Sequence, residues 1–276
     1  MSLLTGQVCA LSHRLEFKTD GKTTPSRIAW CFVNNQVYAR PANRLLSNLA
    51  PEDYAQLAPH FRPVKMELGA ILGYGSTGNN FAYFPTTSVI SLICDMENGA
   101  TAEVALAGND GLVGTSLFLG GNTTTNRAIV GISGEALRLD ARILKEQFAR
   151  CPSFQRILLR YTDTLISQIS LTAACNRMHK LEKRLCRWLL LIHDRAVSNE
   201  FVMTQEFIAN MLGGRRETVT VAAGHLQDAG LIHYTRGRLK IIDRAGLENS
   251  VCECYRPVAN NDFGETTVRS FKYVAV

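Results

Sequence analysis

The stretch Met203–Gly230, MTQEFIANMLGGRRETVTVAAGHLQDAG, decides the reading of this chain, because it breaks into two short helices at Gly213-Gly214 with paired arginines opening the second. Two helices that cross steeply over so short a span need a small residue where they touch, and Ala209 supplies one. The turn needs a residue that tolerates positive φ, and Gly213 stands four residues later, where the first helix must stop. Val219 then packs the second helix back onto the first. Thr204 is the expected N-cap of the first helix, with Glu206 placed toward the positive end of its dipole. Phe207, Ile208, Met211 and Leu212 form its buried side, and Val219, Ala222, Ala223 and Leu226 that of the second. Arg215, Arg216, Glu217 and Thr220 are left outward near the start of the second helix. Such an end can read base edges in the major groove, where arginine grips guanine O6 and N7 with two hydrogen bonds. A surface pair of amphipathic helices with a solvated Arg/Glu face is the plainer alternative.

Downstream, Leu231-Ile232-His233-Tyr234 and Leu239-Lys240-Ile241-Ile242 are apolar runs joined by Thr235-Arg236-Gly237-Arg238, a hairpin with a basic tip. A basic hairpin behind a helix-turn-helix is the wing of a winged helix. From residue 180 to 246 there are 11 Lys and Arg against 7 Asp and Glu, a surplus of +4 out of the whole-chain +6. The excess charge is concentrated where the motif lies, as a nucleic-acid surface requires. The motif geometry assigns Arg216 and Glu217 to the bases with Thr220 assisting, and Thr204, Gln205, Arg215, Arg236 and Arg238 to the DNA backbone.

The segment GGRRETVTVAAGHLQDAGLIHYTRGRLKIID, preceded by LEKRLCRWLLLIHDR and MTQEFIANMLG, resembles the C-terminal domain of the Crp/Fnr family of bacterial transcription regulators. The likeness extends with lower specificity over roughly residues 45–247, and the run Arg216–Val219 is its most specific part. The resemblance implies that the arginine and glutamate opening the recognition helix contact base edges. Family members usually add an arginine one turn later, where this chain has Val221. It further implies double-stranded DNA as partner, a homodimer on an inverted-repeat operator, a small-molecule effector and RNA polymerase as a further partner.

The expected fold class is α+β. Residues 1–40 read as a poorly ordered extension, 41–150 as a sensor domain, 151–180 as a dimerisation helix, 181–247 as the winged helix-turn-helix and 248–276 as a tail. Leu45–His60 is helical in pattern. From Val64 to Leu139 short apolar runs alternate with glycine and polar turns, including Phe81–Phe84, Val89–Ile93, Ala102–Leu106, Ala128–Val130 and Ala136–Leu139. So many short strands suggest a sandwich or barrel, and the resemblance implies a double-stranded β-roll, the jelly-roll of cyclic-nucleotide-binding proteins. Ser153–His179 contains no glycine or proline and carries Leu158, Tyr161, Leu165, Ile169 and Thr172 at three- and four-residue steps. That stripe is expected to pair with a twofold mate, the alternative being packing wholly within its own subunit.

Gly108–Gly114 followed by Arg127 stands where the family holds its phosphate-binding cassette, so Gly111, Gly114 and Arg127 are the candidate effector pocket. Cyclic-AMP-binding relatives place a glutamate at the position of Leu112 and a serine or threonine at that of Ala128. A site without those polar groups should bind cyclic AMP poorly. A cyclic-nucleotide or other small-ligand module with secondary DNA binding, and a thiol-based redox sensor, are the competing readings.

No run of 18 or more apolar residues is present, so no membrane helix is expected, and Met1–Ala10 lacks a charged segment before an apolar core. A cytoplasmic location follows. Eight cysteines include no C-x2-C pair, and Cys252-Glu253-Cys254 is tighter than common zinc spacings, so neither metal nor cofactor is expected. Six histidines form no H-E-x-x-H motif, and neither a G-x-S-x-G elbow nor a Walker loop occurs, so no catalytic residue is assigned and no enzyme is expected.

Overall fold

The computed structural model describes residues 30–33, 36–39, 41–75, 80–121 and 124–256. It opens on an antiparallel hairpin of β1 (Trp30–Val33) and β2 (Gln36–Ala39), inside the region expected to lack order. Strands of four residues are too short to show a period of two in the sequence. Residues 1–29 and the tail beyond 256 lie outside the described residues. The helix expected over 45–60 is split into α1 (Arg44–Ser47) and α2 (Pro51–Leu57), with a single 3-10 turn at Ala58–His60. The buried Asn43 caps α1 by accepting the Leu46 N–H at 3.1 Å, and Pro51, with no N–H to donate, starts a new helix instead of continuing the old one.

Seven strands follow: β3 (Arg62–Met66), β4 (Ile71–Gly75), β5 (Phe81–Pro85), β6 (Val89–Asp95), β7 (Thr101–Ala107), β8 (Thr124–Ile132) and β9 (Gly134–Asp140). They form two antiparallel sheets ordered β3-β9-β5 and β4-β8-β6-β7, the expected β-roll. Each apolar run quoted from the sequence lies within one of these strands. The roll's core joins Phe84, Ile90, Leu112 and Leu139 to Leu45, Leu46 and Leu57 of the preceding helices.

Next come α3 (Ala141–Arg150) and α4 (Pro152–Met178), whose 27 residues span about 40 Å at about 1.5 Å per residue. The stripe expected to meet a twofold mate instead covers this chain's own roll. Leu158, Tyr161 and Leu165 are buried in the roll's core, with Ile169 packed against it. The physical reason is that α4 carries two apolar stripes and the roll takes the richer one. Leu159 and Ile166, seven residues apart, stay exposed on another face.

The C-terminal unit comprises α5 (Leu181–His193), β10 (Glu200–Val202), α6 (Gln205–Leu212), α7 (Arg216–Asp228), β11 (Ile232–Thr235), β12 (Arg238–Ile241) and α8 (Arg244–Ser250). Its core, built on Trp188, Leu189, Ile208, Val219 and Leu226, runs without a break into Val89, Ile93 and Leu106 of the roll. The continuous apolar run of β6 thereby finds its cause. Ile90 and Leu92 belong to the roll's core, Val89 and Ile93 to the core shared with the C-terminal unit, and a strand covered on both sides cannot alternate. Polar contacts fix the same junction. Trp188 Nε1 donates to Glu103 Oε1 at 2.9 Å, and Arg195 forms a two-point ion pair with Asp110, Nη2 to Oδ2 at 2.7 Å and Nε to Oδ1 at 3.1 Å.

Candidate nucleic-acid interface

The helix pair is hinged as its residues demand. Thr204 Oγ1 accepts the Phe207 N–H at 3.1 Å, capping α6. Gly213 lies in the left-handed region at φ 58°, and the Gly214 N–H returns to the Ala209 carbonyl at 2.9 Å, closing the helix end. Ala209 and Val219 are buried at the crossing. The second helix begins at Arg216, after Arg215 in extended backbone with no side-chain cap. Arg215, Arg216, Glu217 and Thr220 are all exposed.

The wing is tighter than its sequence suggests. Thr235 and Arg238 are paired in the ladder, so the turn is Arg236-Gly237 alone, at φ 48° and 76°. Two positive φ values in a two-residue loop make the hairpin turn whose twist matches its strands. β10 adds a third strand beside β12, a contribution too short to be read from three residues of sequence. The Met203 N–H donates to the Gly237 carbonyl at 2.8 Å, and the Tyr234 hydroxyl donates to the Met203 carbonyl at 2.9 Å. These bonds hold the wing against the start of α6.

Between them opens a concave space of about 520 Å³ lined by Thr204, Gln205, Arg216, Tyr234 and Arg236. Four of the assigned residues therefore share one hollow. Thr220 stands beside it, its hydroxyl 2.7 Å from Gln205 Oε1 and 3.0 Å from the Arg216 carbonyl. Arg238 is turned toward Glu200 at 3.4 Å, an exposed pair of little strength. Arg216 makes no ion pair with any described residue, so its guanidinium is uncommitted.

Not all of the basic surplus faces outward. Of the eleven cations between 180 and 246, Arg187 and Arg195 are buried, Arg184 donates to the Leu212 carbonyl, and Arg244 is held by Asp194 and Glu248. A count along the chain cannot separate inward from outward arginines. Of the outward arginines, Arg216 and Arg236 line the hollow, together with Glu206, while Arg215 and Arg238 are exposed outside its lining.

Gly111, Gly114 and Arg127 do not form one pocket. A Cβ at Gly111 would overlap the Tyr161 ring, whose hydroxyl donates to the Leu112 carbonyl at 2.9 Å, and a Cβ at Gly108 would overlap the Arg195 side chain. Both glycines make room for packing. Arg127 is bound to Asp95 at 2.6 Å. Gly114 instead lines a largely apolar cavity of about 240 Å³ between the roll and α4, where Leu112, Ala128 and Leu165 meet the polar Thr115, Ser116 and Thr162. The two positions where the sequence lacks nucleotide-binding polar groups are thus part of an apolar wall.

Two sets of residues go beyond what the sequence indicates, since Cys252 and Cys254 are set aside there on their spacing alone. Glu103, Asp110, Trp188 and Arg195 join the roll to the C-terminal unit, and Cys175, His179, Cys252 and Cys254 converge beside α5. The Cys-x3-His spacing at the end of α4 was the available signal for the second set, since one helical turn brings those two donors together.

The described residues thus form a β-roll joined through a long helix to a winged helix-turn-helix. Residues 183–250 match the Crp-like helix-turn-helix domain. Among solved structures, FixK2 from Bradyrhizobium japonicum superposes with a TM-score of 0.59 at 16% identity, over 70% of this chain and 98% of that one. A Crp/Fnr-family regulator from Thermus thermophilus gives 0.56 at 20%, over 68% and 97%. The c-di-GMP-responsive global regulator CLP from Xanthomonas campestris gives 0.56 at 14%, over 70% and 100%. No curated protein sequence matches the chain. The C-terminal unit is therefore a Crp-like helix-turn-helix domain, and the chain as a whole has the Crp/Fnr regulator fold.

Proposed function

We propose that the protein is a sequence-specific transcription regulator that binds an inverted-repeat operator as a homodimer. The observation that carries this reading is the hollow in which Arg216, with no ion pair to any described residue, stands beside Thr204, Gln205 and Arg236. In this reading α7 enters the major groove, Arg216 and Glu217 read base edges, and Thr220 contacts a base when its hydroxyl leaves Gln205. Thr204, Gln205, Arg215, Arg236 and Arg238 hold phosphates. The second half-site requires a twofold mate, for which the exposed Leu159 and Ile166 of α4 offer an unpartnered stripe.

An effector is assigned to the cavity between the roll and α4. Its lining combines the apolar Leu112, Ala128, Leu165 and Ile169 with the hydroxyl-bearing Thr115, Ser116 and Thr162, which suits a small, mainly apolar ligand with a few polar groups. Selection of bound sequences from a random duplex pool tests the proposal. It should return a palindrome with half-sites about 10 base pairs apart or a multiple of that spacing. Recovery of unenriched sequence from protein shown to be folded, with and without cell extract as a source of effector, would overturn it.

A further inference from the structure

Four soft donors meet away from the DNA face. Cys175 lies in the last turn of α4, and His179 follows the helix one turn later. Cys252 and Cys254 come from the segment after α8. The four donor atoms all lie within 4.8 Å of one another. Cys175 Sγ is 3.6 Å from Cys252 Sγ, and Cys254 Sγ is 3.7 Å from His179 Nδ1. A disulfide would need sulfurs about 2.05 Å apart. A tetrahedral ion bonded to thiolates at about 2.3 Å sets neighbouring sulfurs about 3.8 Å apart, close to the spacing found. The three cysteines are buried, and His179 is partly so.

The surroundings match a metal site as well as the donors do. His179 Nε2 faces Glu253 Oε2 at 3.3 Å, so the ring's other nitrogen is the one turned to the sulfurs. A carboxylate on the far nitrogen fixes ring orientation and raises its basicity, as it does for metal-bound histidines. Three thiolates around a divalent ion leave one net negative charge. Arg187, only 6% exposed, lies within electrostatic reach of all three sulfurs and donates to the Cys254 carbonyl at 3.2 Å and to Thr172 Oγ1 at 3.2 Å. A buried guanidinium beside a buried thiol cluster is balanced when the cluster carries that charge.

We propose that Cys175, His179, Cys252 and Cys254 bind a structural zinc ion that clamps the C-terminal segment to the hinge between the long helix and the DNA-binding domain. His179 and Lys180 are the only residues between α4 and α5, so the ion would sit at the joint where the helix-turn-helix unit leaves α4. All four positions of the ion are taken by protein, which makes the site structural. Its loss frees both the joint and the segment after α8, and loosens the angle between α4 and the recognition helix.

The experiment uses the full chain, purified with reductant and without a histidine tag, loaded with zinc sulfate and dialysed. Elemental analysis should find one zinc per chain. The Cys252→Ser and Cys175→Ser variants should hold almost none, while Cys94→Ser, outside the cluster, should keep its zinc. Cobalt in place of zinc should give the thiolate charge-transfer absorbance of a tetrahedral site, a readout on the wild-type chain that does not depend on how any variant folds. Stripping the metal with a chelator should speed tryptic cleavage after the exposed Lys180 by ~tenfold, reversed on adding zinc. Failure of the reduced, folded chain to take up zinc or cobalt would overturn the proposal, as would full retention of zinc by Cys252→Ser or a Cys175–Cys252 disulfide that forms while zinc is present.

Discussion

Glu103 on β7 predicts a pH dependence of stability that can be worked from its surroundings. The carboxyl is buried, accepts from Trp188 Nε1 at 2.9 Å, and is raised from the ordinary 4.5 to about 8, chiefly by desolvation and despite hydrogen bonds from Ser91 and Trp188 and the charges of Arg187 and Arg195. The folded protein keeps the proton up to about pH 8, whereas the unfolded chain releases it near 4.5. Between those values the folded state binds more protons, so this group's contribution is complete at low pH and is lost as pH rises. One pH unit within that window is worth up to about 1.4 kcal/mol. Glu103→Gln keeps an acceptor for Trp188 and cannot ionise. Urea denaturation of both proteins at pH 5.5 and 7.5 should show the advantage of Glu103→Gln growing by roughly 2 to 3 kcal/mol with rising pH, the other titrations cancelling in the difference. A difference that stays flat across the two conditions would mean that Glu103 is not held protonated at the junction.

Three further outcomes are expected. Gly111→Ala should destabilise the chain by about 1 to 3 kcal/mol in the same denaturation, because the added methyl meets the Tyr161 ring, and an unchanged midpoint would remove the packing role given to that glycine. Ile166→Glu should yield a monomer by sedimentation, since it places a charge on the exposed stripe of α4, and a dimer of unaltered affinity would move the twofold contact elsewhere. Arg236→Ala, at the wing tip, should weaken binding to all duplexes alike and reduce the slope of log affinity against log salt by about 0.9, whereas loss confined to the selected operator would make it a base-reading residue.

Much of the helix-turn-helix was legible because its constraints are local. Thr204 caps, Gly213 turns at positive φ, and Ala209 and Val219 are buried in one core, each within a few residues of the motif. The strands of the roll were legible for the same reason. What the sequence hid was set by distant partners. The β6 run showed a buried strand but not that its second face belongs to the C-terminal unit's core. The stripe on α4 showed an apolar face but not which neighbour would cover it. Gly108 and Gly111 looked like a phosphate loop, and only Arg195 and Tyr161, brought from other elements, reveal them as clearances. Cys175 and Cys252 are 77 residues apart, a separation at which no spacing rule operates.

The reading of Arg216 as the residue that reads sequence is tested most directly by competition binding of wild type and Arg216→Ala to the selected operator and to random duplex at fixed salt. The preference for operator should fall by about 1 to 3 kcal/mol in the variant, with affinity for random duplex little changed. A variant that discriminates as well as wild type would contradict the placement of α7 in the major groove.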